Sequence, residues 1–245
     1  MYIHTFGRQD RPAILLLHPM GLPGETLFGI FREFVPDDYF VIFPDQGGHG
    51  KSGGYESVEA EATVLTDWLL ETGHSQIQLV FGASMGAALA YELMKRDEIR
   101  FERVWLEGAS LLNDAKVMRR FLLIFYFTAL WIARRNRRAV VRFIGKVYPE
   151  EVAEILVENC LKIDAESAKR ISAACSDYRL EPMPIGLQRR VHIELDTTER
   201  AQLKAIRRYF PNVDFTRHPH CRHCENMAQD PERYIRRMLE WMTRG

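Results

Sequence analysis

The sequence predicts an α/β fold: a doubly wound, mostly parallel sheet with a helical cap insertion. Three observations lead there. Short, nearly continuous apolar runs recur between turn residues, which suits strands buried on both faces. Amphipathic stretches of helical period separate those runs, so strand and helix alternate. A middle stretch, residues 111 to 186, breaks that rhythm with helical patterns and no clear strand.

AILLL (13 to 17), YFVIFP (39 to 44), IQLVF (77 to 81) and RVWLEG (103 to 108) supply the first four strands. RVHIEL (190 to 195) and VDFTR (213 to 217) supply two more after the middle stretch. The helices are SVEAEATVLTDWLLETG (57 to 73), the segment 85 to 96, ERAQLKAIRRYF (199 to 210) and DPERYIRRMLEWM (230 to 242). Ser57 is placed to cap the first of these, and Glu59 and Glu61 put negative charge where the helix dipole favours it. The organisation read from this is a core of residues 1–110 and 187–245, with 111–186 as a cap or lid.

The totals exclude several classes. The chain has 245 residues, 47% hydrophobic and 27% charged, with 33 basic and 33 acidic side chains. That balance lacks the basic excess of a nucleic-acid binder. The N-terminal MYIHTFGRQD shows no secretory pattern, and no apolar run reaches the ~18 residues of a membrane span. Four cysteines are too few for a disulfide framework, so the expectation is reduced thiols in a cytoplasmic protein.

Chemistry enters at Gly82-Ala83-Ser84-Met85-Gly86. A strand runs into this G-x-S-x-G and a helix leaves it. The tight turn strains the serine, small neighbours let the backbone bend, and Oγ is presented beside a helix N-terminus. In that context the chain resembles the α/β-hydrolase family. AILLLHPMG (13 to 21) is similar to the family's strand and oxyanion loop, with Pro19 where glycine is usual. PDQGGHGKSG (44 to 53) is similar to its Asp-x-x-Gly-His-Gly-x-Ser turn, and Asp45 and His49 are read as ordering that turn. FPNVDFTRHPHCRHCENMAQDPERY resembles its closing strand, histidine loop and last helix.

The resemblance implies a Ser-acid-His triad in that chain order. Ser84 is then the nucleophile. His4, His18, His49 and His74 precede it, and His192 sits within a strand, which leaves His218, His220 and His223. His223 matches the family's place for the base. The acid position falls on Glu199, with Asp196 and Glu107 as alternatives. Backbone N–H groups of Met20 and Met85 match the oxyanion donors.

Two stretches invite other readings. HPHCRHC (218 to 224) is dense in metal-ligand types, but its C-x-x-C has no second pair elsewhere, so no metal and no cofactor are expected. FLLIFYFTALWIA (121 to 133) is apolar all round, the pattern of a buried helix or one facing apolar material on several sides. Phe121, Phe125, Phe127 and Trp131 are its candidates for lining an acyl pocket. Nine basic residues and no acidic one lie from Lys116 to Lys146, which allows contact with anionic lipid headgroups. The expected function is a carboxylesterase- or lipase-like serine hydrolase of a small or lipid-like ester. Its rivals are a non-catalytic ligand-binding protein on the same scaffold, and an acyltransferase or C–C hydrolase using the same triad.

Overall fold

The computed structural model describes residues 1–109, 116–176, 180–196 and 202–244. The chain opens with β1 (Tyr2–Phe6) and β2 (Ala13–Leu17), followed by α1 (Gly24–Phe31) and β3 (Phe40–Asp45). Then come α2 (Val58–Glu71), β4 (Gln76–Ile77), β5 (Leu79–Ala83), α3 (Met85–Lys95), β6 (Arg100–Phe101) and β7 (Val104–Glu107). The middle of the chain is helical: α4 (Lys116–Ala133), α5 (Arg137–Ile144), α6 (Glu150–Lys162), α7 (Ala165–Ser176) and α8 (Ile185–Gln188). The chain closes with β8 (Val191–Asp196), α9 (Gln202–Tyr209), β9 (Asp214–His218), α10 (Glu225–Gln229) and α11 (Pro231–Thr243).

The main sheet runs β1-β3-β2-β5-β7-β8-β9. All its pairings are parallel except β1 with β3, and β4 and β6 form a separate two-stranded parallel pair. The six main-sheet strands after β1 coincide, within a residue or two, with the apolar runs. β1 itself was not anticipated. It is an antiparallel edge strand, half exposed, and its alternation is too short and too polar to stand out.

Both faces of the sheet are covered, as parallel strands require. Leu15 and Leu17 join the residues of α2 and α3 in one core cluster, and Ile14 and Leu16 join those of α1 and α11 in the other. The period of two along β2 thus feeds two cores from one five-residue strand. Ser57 accepts from the Ala60 amide at 3.1 Å and so caps α2, a contact worth about 1 kcal/mol. Asp230 caps α11 in the same way, with Pro231 in the first turn.

The cap helices pack on each other through Ala133, Val140, Val141, Ala153 and Val157. Tyr55, in the loop before α2, donates its amide to Ser167 Oγ at 2.9 Å, which ties α7 to the core. No helix of the described residues is long and apolar enough to cross a membrane.

Gly86 at the start of α3 lies against the end of β2. A Cβ there would sit 2.1 Å from the Leu17 carbonyl oxygen and 2.9 Å from that of His18. Gly86→Ala is therefore expected to cost about 3 kcal/mol or more in urea unfolding, because backbone rather than side chain must move. An unchanged midpoint would show that α3 is free to back away from β2.

Candidate active site

Strand β5 and helix α3 meet at Ser84. Its φ is 50° and its ψ −107°, one of two non-glycine residues with positive φ among those described. Such a backbone costs about 1–3 kcal/mol and persists only where the surroundings enforce it. They do so here. A Cβ on Gly82 would lie 2.7 Å from the Gly86 carbonyl oxygen, so only glycine lets the turn close. The Ser84 amide donates to the Glu107 carbonyl at 2.8 Å, which pins the turn to β7. The serine is half-buried and caps α3 with its backbone.

The loop after β2 lies beside it. His18 is fully buried. Its Nε2 accepts from the Gln46 amide at 2.9 Å and its Nδ1 donates to the Pro19 carbonyl at 2.9 Å. His49 repeats the pattern, accepting from the Gly21 amide at 2.9 Å and donating to the Gly47 carbonyl at 3.1 Å. These bonds assign both rings the neutral Nδ1–H tautomer. Burial pushes His18 down to about 3, with His49 acting in the same direction, and burial lowers His49 too. Asp45 completes the frame by accepting from the amides of Gly24 and Lys51, each at 2.9 Å. The framed loop brings Met20 against Met85, in a small apolar cluster with Tyr55, Ile163 and Ile171.

The histidine loop follows β9. Of HPHCRHC, His218 ends the strand and pairs with Glu194, His220 is exposed, and Cys224 is buried. His223 lies over Gly108: a Cβ on that glycine would be 2.8 Å from His223 Cε1 and 3.1 Å from Nδ1. Register pairs Ala83 with Glu107, so Gly108 is the neighbour of Ser84 on the adjacent strand. The structure thus brings His223 to the same end of the sheet as the serine. Tyr148 of the cap donates its hydroxyl to the His223 carbonyl at 2.5 Å, and the Cys175 thiol of α7 feels the charge of His223.

Three carboxylates were candidates for the acid. Glu199 lies outside the described residues. Asp196 is buried at the end of β8, in register with His218. Glu107 is buried at the end of β7 and accepts from the Tyr234 hydroxyl at 2.9 Å, which in turn accepts from Trp105 Nε1 at 2.7 Å. The negative charges of Asp196 and Glu107 both help to raise the Cys221 thiol and the Tyr148 hydroxyl, secondary to burial.

Below the loop is a network that the sequence reading missed. Glu194 is fully buried and bonds His192 Nε2 at 2.7 Å, Arg237 at 2.6 Å and His218 Nε2. His192 also faces Asp214 at 2.8 Å and stacks on Trp105 with ring centroids 4.0 Å apart. Burial alone would raise Glu194. The bonds from His192 and His218 and the charge of Arg237 outweigh it and hold the carboxylate at about 2. The signal was the alternation His192-x-Glu194-x-Asp196 in a strand buried throughout, since buried charge must be paired.

The lining expected from α4 needs correction. Phe121, Phe125 and Trp131 are exposed, so they do not line a buried pocket. Phe127, the fourth candidate, packs with Tyr126 against the cluster that contains Met85, and the Tyr126 hydroxyl donates to the Cys160 carbonyl at 3.1 Å. A helix apolar all round gives no clue to its own phase. Contacts with α6 and α7 set it.

The model of the family described as serine aminopeptidase, S33 (Hydrolase_4) matches residues 8–179. The chain belongs to this family of α/β hydrolases. Solved structures agree on the fold. One described as an α/β-hydrolase family protein, from Desulfitobacterium hafniense, is 21% identical, with 98% of this chain and 100% of that one covered and a TM-score of 0.75. An esterase from Exiguobacterium antarcticum is 12% identical over 98% and 94% of the chains, TM-score 0.74. A thermophilic esterase from Thermogutta terrifontis is 21% identical over 98% and 92%, TM-score 0.69. No curated protein is a significant match.

Two outcomes follow from this geometry. Gly108→Ala is expected to displace the His223 ring and lower kcat by about 100-fold, as misplacements of about 1 Å do. Far-UV circular dichroism should stay native, and unchanged turnover would detach His223 from Gly108. Separately, His18 and His49 stay neutral in the fold and gain protons on unfolding. Their stabilisation is complete above about pH 6.5 and is lost as pH falls toward His18's value of about 3. Urea unfolding between pH 7 and 5 should show a falling free energy, up to about 1.4 kcal/mol per pH unit for each ring. A flat profile would contradict the neutral assignment.

Proposed function

We propose that the protein is a serine hydrolase of a carboxylic ester with an apolar acyl part. The observation that carries this is the strained Ser84, with His223 over the adjacent Gly108. Ser84 Oγ attacks the ester carbonyl carbon and passes its proton to His223. The resulting oxyanion is held by the Met20 and Met85 amides. As the intermediate collapses, His223 gives the proton to the departing alcohol, leaving an acyl-serine. Water, deprotonated by the same histidine, attacks that acyl group and releases the acid.

Three carboxylates are candidates for the acid of this triad. Glu199 is favoured by the family pattern, and Asp196 by its buried place near the histidine loop. Glu107 is the third candidate, and its bond to Tyr234 argues that it serves the core. The ester reading rests on the lining. The described side chains packed around Met20 and Met85, including Tyr126, Phe127 and Ile171, are neutral and mostly apolar. They suit an acyl chain, whereas an aminopeptidase needs a polar partner for a free α-ammonium group.

A chain-length series of p-nitrophenyl esters tests this. Ser84→Ala and His223→Ala should each lower kcat about 10⁴-fold or more, and Ser84→Ala should abolish fluorophosphonate labelling. Of Asp196→Asn, Glu199→Gln and Glu107→Gln, the one that removes the acid should cost about 10⁴-fold while the others stay near wild type. Wild-type turnover no faster than that of Ser84→Ala on every ester would refute the reading.

A further inference from the structure

We propose that the outer face of the cap, along α4 and the start of α5, is a docking surface for anionic lipid membrane. This inference stands apart from the hydrolase reading. It begins from the phase of α4. At 100° per residue, Val117, Phe121, Ile124, Phe125, Trp131 and Ile132 fall on one continuous arc. Their exposures are 73%, 66%, 58%, 60%, 56% and 38%. The opposite arc, with Tyr126, Leu130 and Ala133, faces the cap interior. The outer arc runs the full helix of 18 residues, about 27 Å. An exposed apolar patch of that extent marks a contact surface.

Charge identifies the occupant. Arg119 and Arg120 lie in the first turns of α4, Arg134 and Arg135 follow its end, and Arg138 and Arg142 lie on α5. The Arg135 guanidinium sits 3.9 Å above the Trp131 ring, holding positive charge on the apolar arc itself. No acidic residue occurs between Lys116 and Lys146. Among the described residues, the acidic groups nearest this stretch are on α6: Glu158 meets Arg137 at 3.5 Å, and Glu150 and Glu154 line a cleft with Arg138 and Arg142. A second copy of the chain docked on the same face would set these arginines against their own kind. An anionic bilayer surface offers apolar depth and opposite charge together, the combination that seats an amphipathic helix in the plane of the headgroups. The helix lies on the membrane and does not cross it, consistent with its length and flanks.

Flotation of the full-length Ser84→Ala protein with phosphatidylcholine vesicles, with and without phosphatidylglycerol, tests this. Using Ser84→Ala makes the binding result independent of turnover. Binding to phosphatidylglycerol vesicles is expected to exceed that to pure phosphatidylcholine, and to fall in about 1 M salt, where the screening length shrinks to about 3 Å. Trp131 is the most exposed tryptophan, so emission should shift to the blue on binding, and Trp131→Phe should remove the shift. Phe121→Ser with Phe125→Ser should weaken partition about 100-fold, at about tenfold for each ring. Gln at Arg134, Arg138 and Arg142 should weaken it about fivefold for each charge. The substituted side chains are exposed, so thermal midpoints should hold. No binding to phosphatidylglycerol vesicles, or binding untouched by both sets of substitutions, overturns the proposal. A light-scattering mass of a dimer that Phe121→Ser/Phe125→Ser converts to a monomer overturns it too, by giving the face to a second copy.

Discussion

The close approach of α3 to the end of β2 is the constraint on which the site depends. Gly86 touches the Leu17 and His18 carbonyls, and Gly82 touches Gly86. With no Cβ at either position, the helix starts directly against two parallel strands. The chain must then reverse within one residue, and Ser84 takes the left-handed φ of 50°. The same contact brings the loop after β2 beside the start of α3, so Met20 meets Met85. The proposed nucleophile and oxyanion donors are thus positioned by one packing event. The strain is held locally by the Ser84 amide bond to Glu107 at 2.8 Å and by the neutral histidine pair behind the loop.

The histidine side of the site is built differently. Strand β8 is buried along its whole length, yet every second residue of its last five is charged or titratable. Apolar Val191, Ile193 and Leu195 face the α3 core, and His192 and Glu194 meet Trp241 and Arg237 of α11. Buried charge is tolerable only when paired, and each pairing constrains direction as well as energy. Arg237 from α11 and His218 from β9 both close on Glu194. The last strand, the last helix and the start of the histidine loop are thereby fixed on one carboxylate. His223, five residues beyond His218, inherits that placement. One half of the site is thus set by steric closeness and the other by electrostatic pairing.

This division explains what was legible in the sequence. Buried parallel strands and the G-x-S-x-G turn are local patterns, and six of the main-sheet strands and the Ser84 turn appear where those patterns put them. Ser57 is likewise a local signal, and it caps α2 as read. The unread features depend on neighbours far along the chain. β1 exists because β3 offers an edge, and α1 starts at Pro23 without any side-chain cap. Tyr148 matters only because the cap folds over residue 223. The acid was ambiguous for a related reason. Carboxylates stand at 194, 196 and 199, and their separate fates depend on what β9 and α11 present to each.

The cap is part of the site as much as a cover for it. Tyr148 holds the backbone of the histidine loop, Ser167 holds the Tyr55 amide, and Tyr126 and Phe127 close on the methionines. Helix α4 belongs to both sides of the molecule at once. Phe125 points outward and Tyr126 inward, yet they are adjacent on one rigid backbone. Sequence reading saw only that the helix was apolar throughout. In the structure one arc packs on the interior around Met85, and the other is the exposed face that we propose docks on an anionic membrane.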